Sequence, residues 1–87
     1  MSKLGEWKEI GKVAHYFSKI GVAVIKLTKP LAKGDTVRFA GGEDTDFEQK
    51  ISSMETDYKK LLKAKKGSEV GVKVKEVVRS GYRVYKE

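Results

Sequence analysis

Short apolar runs separated by glycines make up most of the chain, and within most runs hydrophobic and polar residues alternate. A period of two is typical of β-strands, because successive side chains on a strand point to opposite faces of a sheet. The clearest runs are residues 36–39, in which Val37 and Phe39 share one face, and residues 70–74, in which three valines share one face. The pattern therefore predicts an all-β protein.

Two segments near the start of the chain, residues 7–17 and 20–25, carry apolar side chains on both faces. Strands that are buried on both sides show this pattern, so both segments are predicted to be central. The expected core combines aliphatic and aromatic side chains from several strands: Val22, Val24, Val37, Phe39, Ile51, Val70, Val72 and Val74.

Glycine marks the expected turns between strands, at residues 33–35, 41–42 and 80–81. The alternation shifts between Ile51 and Met54, which predicts a β-bulge near residues 52–53. Residues 58–66 are rich in lysine and end at Gly67, a pattern that allows at most one short helical turn with a glycine cap. Six short strands joined by such turns fit a small closed barrel, in which no sheet edge is exposed.

The length of 87 residues allows one small core, and we expect a single domain over residues 1–87 with no nucleotide-binding unit. The chain contains no cysteine, which excludes disulfides and thiolate metal sites. No apolar stretch approaches the ~20 residues of a membrane helix. We therefore expect a cytoplasmic protein that does not associate with membranes.

Positive charge is concentrated in the last third of the chain. Residues 1–57 carry nine basic and nine acidic side chains, whereas residues 58–87 carry ten and three, so this last segment holds the whole net charge of +7. Such a distribution suggests a polyanionic partner, most simply nucleic acid. A solvated lysine-rich face is an equally good interpretation of charge alone.

Candidate catalytic and metal-binding patterns are weak. Residues 5–13 have five residues between their glycines, where a phosphate-binding loop has four, and Val13 stands where that loop needs a hydroxyl group. His15 is the only histidine, and a position on a barrel strand explains it more simply than a zinc site does. We expect neither an enzyme nor a bound metal or cofactor.

Several segments in order resemble the second domain of translation GTPases such as elongation factor Tu. They are residues 18–25, 31–37, 60–62, 64–72 and 79–84. The elements that carry the resemblance are a strand of small residues, the K-G-D turn, the A-x-x-G-x-x-V-G segment and a late R-x-G-x-x-V turn, in this order. The resemblance covers about residues 11–85 and extends to stand-alone elongation-factor-like proteins. The chain is also similar to the C-terminal domains of collagenase-like peptidases. The resemblance implies a six-stranded Greek-key closed barrel of the translation-protein type, without a GTPase domain.

The resemblance to translation factors further implies binding to tRNA or ribosomal RNA without GTP hydrolysis. Thr56, Lys59 and Glu69 stand at the positions of the acceptor-end pocket and do not reproduce it, so general RNA contact is the expectation. The candidate RNA-binding residues are basic side chains and neighbouring tyrosines: Lys59, Lys60, Lys63, Lys65, Lys66, Lys73, Lys75, Arg79, Arg83, Tyr58 and Tyr82.

A second interpretation is an interaction module that docks on a separately encoded enzyme or on a translation component. An exposed apolar patch on the folded protein would favour this interpretation, whereas an unbroken lysine face would favour RNA. On either interpretation we expect a monomer.

Overall fold

A computed structural model describes residues 7–42, 45–56 and 59–86 of the chain. Within these ranges all regular structure is β, as predicted, and no helix that could cross a membrane occurs among them. The strands are β1 (Lys8–Phe17), β2 (Val22–Leu27), β3 (Leu31–Ala32), β4 (Thr36–Gly41), β5 (Thr45–Lys50), β6 (Met54–Thr56), β7 (Lys59–Leu61), β8 (Lys63–Ala64), β9 (Glu69–Lys73) and β10 (Arg83–Lys86).

Eight of these strands form one antiparallel sheet in the order β5-β4-β10-β1-β2-β9-β6-β7, and β3 pairs with β8 in a separate two-stranded sheet. Because β5 and β7 lie at the two edges of the large sheet, its ladder is not closed. The predicted six-stranded Greek-key closed barrel is therefore wrong in its closure and in its number of strands. Closure would need β5 to pair with β7, but among the described residues β5 pairs with β4 and β7 pairs with β6, so the ladder stays open.

Irregularities in β1 explain why this strand buries residues of both parities. Its register shifts between Glu9 and Gly11 against β10, and again between Val13 and His15 against β2. These shifts allow Ile10 and Val13 to point into the core together. Gly11 fits at the first shift because a Cβ there would clash with the carbonyl oxygen of Lys26.

The core contains most of the predicted residues, but β2 is an exception. Val37, Phe39, Ile51, Val70, Val72 and Val74 are buried, as predicted. Val22 and Val24 are only partly buried, and Ala23 and Ile25 take their places inside. Since both faces of this strand are apolar, the sequence alone does not reveal which one faces inward.

The chain between β5 and β9 differs most from the prediction. In place of a bulge near residues 52–53, the strand ends at Lys50, and a new one begins at Met54. In place of a helical turn in the lysine-rich segment, β7 and β8 form, and Leu61 pairs with Met54 across the sheet. The predicted glycine turns are confirmed by positive φ angles: Gly34 at 94°, Gly42 at 60° and Gly81 at 93°.

Candidate docking surface

Five predicted RNA-contacting lysines lie close together in sequence and are all exposed. Lys59 and Lys60 are on the edge strand β7, Lys63 is on β8, and Lys65 and Lys66 follow β8. Their surface is not uniformly basic, because Lys60 is paired in register with Glu55 of β6.

Three of the other predicted basic residues lie at the end of β9 and in the connection that follows it. Lys73 and Lys75 are exposed while Val72 and Val74 are buried, as the alternation predicted. Arg79 is exposed in the connection that follows.

Arg83 lies on a different part of the sheet. It belongs to β10, where its guanidinium lies 3.3 Å from the carboxylate of Glu9. Strands β1 and β2 separate β10 from β9. Arg83 is in register with Lys12, Lys26 and Glu69, which places it three inter-strand spacings, roughly 14 Å, from Glu69. Lys73 lies further along β9, so Arg83 is set apart from it.

Of the two tyrosines predicted to contact RNA, Tyr82 lies among the described residues. Tyr82 is half-buried and packs against the core. Its ring covers the glycines of the β4–β5 turn, and a Cβ on Gly42 would lie 2.8 Å from its hydroxyl oxygen. Tyr82 thus has one side occupied by the protein itself. Tyr58 lies outside the described residues.

An apolar surface that sequence reasoning missed lies on the outer face of β1, β2 and β9. Residues paired directly across antiparallel strands project from the same face of a sheet. The register gives two adjacent rows on this face: Phe17, Val22 and Lys73, and beside them His15, Val24 and Gly71. We call the apolar part of this surface, together with Ile20 in the connecting turn, the hairpin face.

Exposure of the hairpin face is greatest at the β1–β2 turn, where Phe17 is 46% exposed and Ile20 is 59% exposed. The turn contains a groove of about 330 Å³ lined by Tyr16, Phe17, Ser18, Lys19 and Ile20. Gly71 leaves a notch beside Val22, whose Cγ1 would lie 3.2 Å from a Cβ at that position. The rings of His15 and Phe17 lie 4.4 Å apart between their centroids.

Positive charge borders the hairpin face. Lys19 lies in the turn and Lys73 ends the first row. On the far side, a third row contains Lys12, Lys26 and Glu69. An apolar centre with a charged rim is the usual arrangement of a protein-binding surface.

The signal for this surface is present in the sequence but ambiguous. Phe17 and Ile20 stand next to the turn residues Ser18, Lys19 and Gly21, at the end of a hairpin. Phe17 lies on the outer face of the sheet and Ile20 in the turn, so the core covers neither side chain.

Comparison with known proteins identifies relatives of the whole chain. No family model matches it. The chain is 42% identical over 77 residues to an uncharacterised protease of Methanocaldococcus jannaschii. This alignment covers 88% of the chain and 19% of the protease. The chain is 29% identical over 97 aligned positions to a collagenase of Porphyromonas gingivalis. That alignment covers 97% of the chain and 27% of the collagenase. The chain thus spans about a fifth to a quarter of these curated relatives.

Solved structures give a consistent result. The C-terminal domain of a Geobacillus thermoleovorans protein named as a U32 peptidase superposes with a TM-score of 0.85 at 26% identity, covering 100% of this chain and 98% of the domain. The selenomethionine variant of that domain superposes with a TM-score of 0.83 at 26% identity, covering 88% of this chain and 96% of the domain.

These relatives correct the functional prediction. They are named as proteases, collagenases and a U32 peptidase, so the predicted elongation-factor-like, RNA-binding function is wrong. The similarity to C-terminal domains of collagenase-like peptidases is confirmed. By sequence and by fold, the chain is similar to the C-terminal domain of U32 peptidases.

Proposed function

We propose that this chain is a non-catalytic docking domain of a U32-type peptidase and that it binds the catalytic part of that enzyme. The observation that carries the proposal is the extent of the match. The chain aligns with 98% of a solved C-terminal domain, but with only 19% of the M. jannaschii protease. A segment of that size corresponds to one accessory domain, and the remaining four-fifths of the relative contains ample chain for the catalytic part.

The hairpin face is the proposed contact surface. Large apolar side chains clustered on a small protein's exterior indicate an interaction site more strongly than the same residues scattered singly. Phe17 and Ile20 are two such side chains within one turn, and the half-buried Val22 and Val24 extend the apolar surface along β2. An aromatic anchor surrounded by polar residues is typical of the energetic centre of an interface.

Catalysis is assigned to the rest of the peptidase. His15, the single histidine, packs its ring against that of Phe17. Its nearest aromatic partner thus belongs to the hairpin face, and we propose that His15 contributes to docking and not to proton transfer.

The experiment uses the M. jannaschii protease from which the segment aligned with this chain has been removed, with its folding verified by circular dichroism. Isothermal titration with this chain should show saturable one-to-one binding. Replacement of both Phe17 and Ile20 by Ser should weaken binding by about tenfold or more, because each buried side chain contributes roughly 1.5–3 kcal/mol.

The matched control replaces Leu62 and Val77 by Ser. These are the other exposed large apolar residues of the described chain, 73% and 64% exposed, and they lie outside the hairpin face. The proposal requires the control to bind as the unmodified chain does. Equal losses in both variants, or no binding to the folded protease, would contradict it.

A further inference from the structure

A row of positive charge crosses the same outer face of the sheet that carries the hairpin face. Lys12 of β1 is paired in register with Lys26 of β2 on one side and with Arg83 of β10 on the other. Side chains paired in this way leave the sheet on one face, roughly 5 Å apart. All three are exposed, and we call them the cationic row.

The cationic row is continuous with the hairpin face along β2. Val22, Val24 and Lys26 alternate with buried residues and therefore project from one face, at intervals of roughly 7 Å. Two intervals, or roughly 14 Å, thus separate the apolar end of this strand from its positive end. A partner that covers the hairpin face also reaches the cationic row, because a stable interface takes about 20–30 residues from each side.

The positive charge of the row is not balanced within the described chain. Like charges placed directly opposite each other on neighbouring strands are destabilising, and Lys12 has a cation on both sides. Arg83 has an ion-pair partner in Glu9, at 3.3 Å. No carboxylate of the described residues lies within ion-pair distance of the ammonium group of Lys12 or Lys26. An interface that covered these two lysines with apolar groups would leave buried, unpaired charges, which is strongly unfavourable.

We propose that the surface of the catalytic part that covers the hairpin face carries carboxylates opposite Lys12 and Lys26. This inference rests on the proposed docking function and adds to it the chemistry of the partner, namely an apolar site for the β1–β2 turn with an acidic edge roughly 14 Å away. The acidic groups attract the domain during association and fix its orientation on the enzyme, whereas the apolar side chains hold it there.

A protein surface fits this row better than a uniform polyanion does. Glu69 of β9 is paired with Lys26 and ends the row with a negative charge. A chain of phosphates would be repelled at that end, and it has no apolar group to cover the exposed Phe17. A folded protein surface can place acidic, basic and apolar groups at separate points of one interface.

The test measures docking on the M. jannaschii protease that lacks its aligned segment, by isothermal titration at about 0.1 M and about 1 M NaCl. Between these concentrations the Debye length falls from roughly 10 Å to roughly 3 Å. The affinity of the unmodified chain should fall severalfold at the higher concentration. Lys12→Glu should weaken docking about tenfold at the lower concentration, and most of that difference should disappear at the higher one.

Urea denaturation of the isolated chain separates this effect from misfolding. Lys12→Glu places a carboxylate between Lys26 and Arg83 and replaces two repulsions by two attractions, so the urea midpoint should rise. The variant is thus expected to be more stable and to dock less well. An unchanged or lower midpoint would show that Lys12 is not repelled by its neighbours, which would overturn the proposal.

The matched control is Lys63→Glu, an equal change of charge at an exposed position of β8, in the separate two-stranded sheet. It should dock as the unmodified chain does. Equal losses in both charge variants, or docking that does not depend on salt, would overturn the acidic partner, while sensitivity to replacement of Phe17 and Ile20 would still support docking itself. No docking of the unmodified chain would overturn both proposals. Binding of inorganic polyphosphate that Lys12→Glu abolishes, without any change in docking, would assign the row to a polyanion and overturn this proposal alone.

Discussion

Gln49 and Lys75 are held together by a hydrogen bond that joins strand β5 to the segment after β9. The backbone N–H of Lys75 donates to Oε1 of Gln49 at 3.0 Å, and Nε2 of Gln49 donates to the carbonyl oxygen of Lys73 at 2.7 Å. One side-chain amide thus makes two hydrogen bonds of the backbone-ladder kind across the seam between β5 and β9, two strands that are not paired in the sheet.

This relationship predicts that Gln49 matters more than its partly exposed position suggests. Replacement of Gln49 by Leu keeps the approximate size of the side chain but removes both hydrogen bonds. The free energy of unfolding should fall by about 1–2 kcal/mol, measured as a lower midpoint in urea. The neighbouring exposed Lys50 provides the control, since Lys50→Ala should leave the midpoint nearly unchanged. An unchanged midpoint in Gln49→Leu would show that these two hydrogen bonds contribute nothing to stability.

Part of the fold could be predicted from the sequence, because some strands have only one apolar face. Alternation correctly places Val37 and Phe39 inside, because the polar residues around them allow only one inward face. It fails for Val22 and Val24, where the opposite face carries Ala23 and Ile25 and hydrophobicity cannot decide between them. Whether the sheet closes depends on whether the edge strands β5 and β7 pair with each other, which no local pattern determines.

The candidate site was hidden for a related reason. In the sequence Phe17 has the same parity as the buried Val13, but the register shift between Val13 and His15 turns Phe17 to the outer face of the sheet, where it is exposed. Lys63 and Lys65 were predicted as phosphate contacts from their charge, but charge cannot show that Leu31, more than thirty positions earlier, pairs with Ala64 between them. Composition and charge do not reveal which strands distant in sequence contact each other.

Phe39 should be the most sensitive aromatic residue of the core. It is fully buried, and its ring stacks on that of Phe47 with 5.2 Å between centroids. Phe39→Ala should lower the free energy of unfolding by about 3–5 kcal/mol, through lost burial and the cavity that remains. Phe17→Ala is the matched control, because Phe17 is 46% exposed. Denaturation of both variants should give a large shift for Phe39 and a shift of less than about 1 kcal/mol for Phe17.

The ion pair between Arg38 and Asp46 should make stability depend on acid pH. Nε and Nη2 of Arg38 donate to the two carboxylate oxygens of Asp46 at 2.6 and 2.7 Å. These hydrogen bonds favour the charged carboxylate and hold the pKa of Asp46 below its ordinary value of 3.8.

Because the folded-state pKa is lowered, the stabilisation is present above pH 3.8 and is lost as the pH falls through the folded value. Asp46→Asn should therefore be slightly less stable than the unmodified chain at neutral pH, and the two urea midpoints should converge in acid. The effect is small because Asp46 is 52% exposed. Glu76→Gln, a change at an exposed acid outside the described ion pairs, should follow the unmodified chain throughout. A constant difference between Asp46→Asn and the unmodified chain at every pH would exclude the ion pair as its cause.

Two glycines should respond differently to the same change to alanine. At Gly11 the added Cβ meets the backbone carbonyl of Lys26, which cannot move without breaking the β1–β2 pairing, so stability should fall by about 2 kcal/mol or more. At Gly71 the nearest atom is the side-chain Cγ1 of Val22 at 3.2 Å. That methyl group can shift outward, so Gly71→Ala should change stability by less than about 1 kcal/mol.

Docking should show the opposite order. Gly71→Ala fills the notch in the hairpin face and displaces Val22, so the affinity for the truncated peptidase should fall severalfold although the domain remains stable. Gly11→Ala, measured at a temperature where the variant is still folded, should bind normally because Gly11 is buried away from that face. Urea denaturation and isothermal titration on the same two variants measure the two effects separately. If Gly71→Ala bound like the unmodified chain, β9 would lie outside the contact, and the interface would be limited to the β1–β2 turn around Phe17 and Ile20.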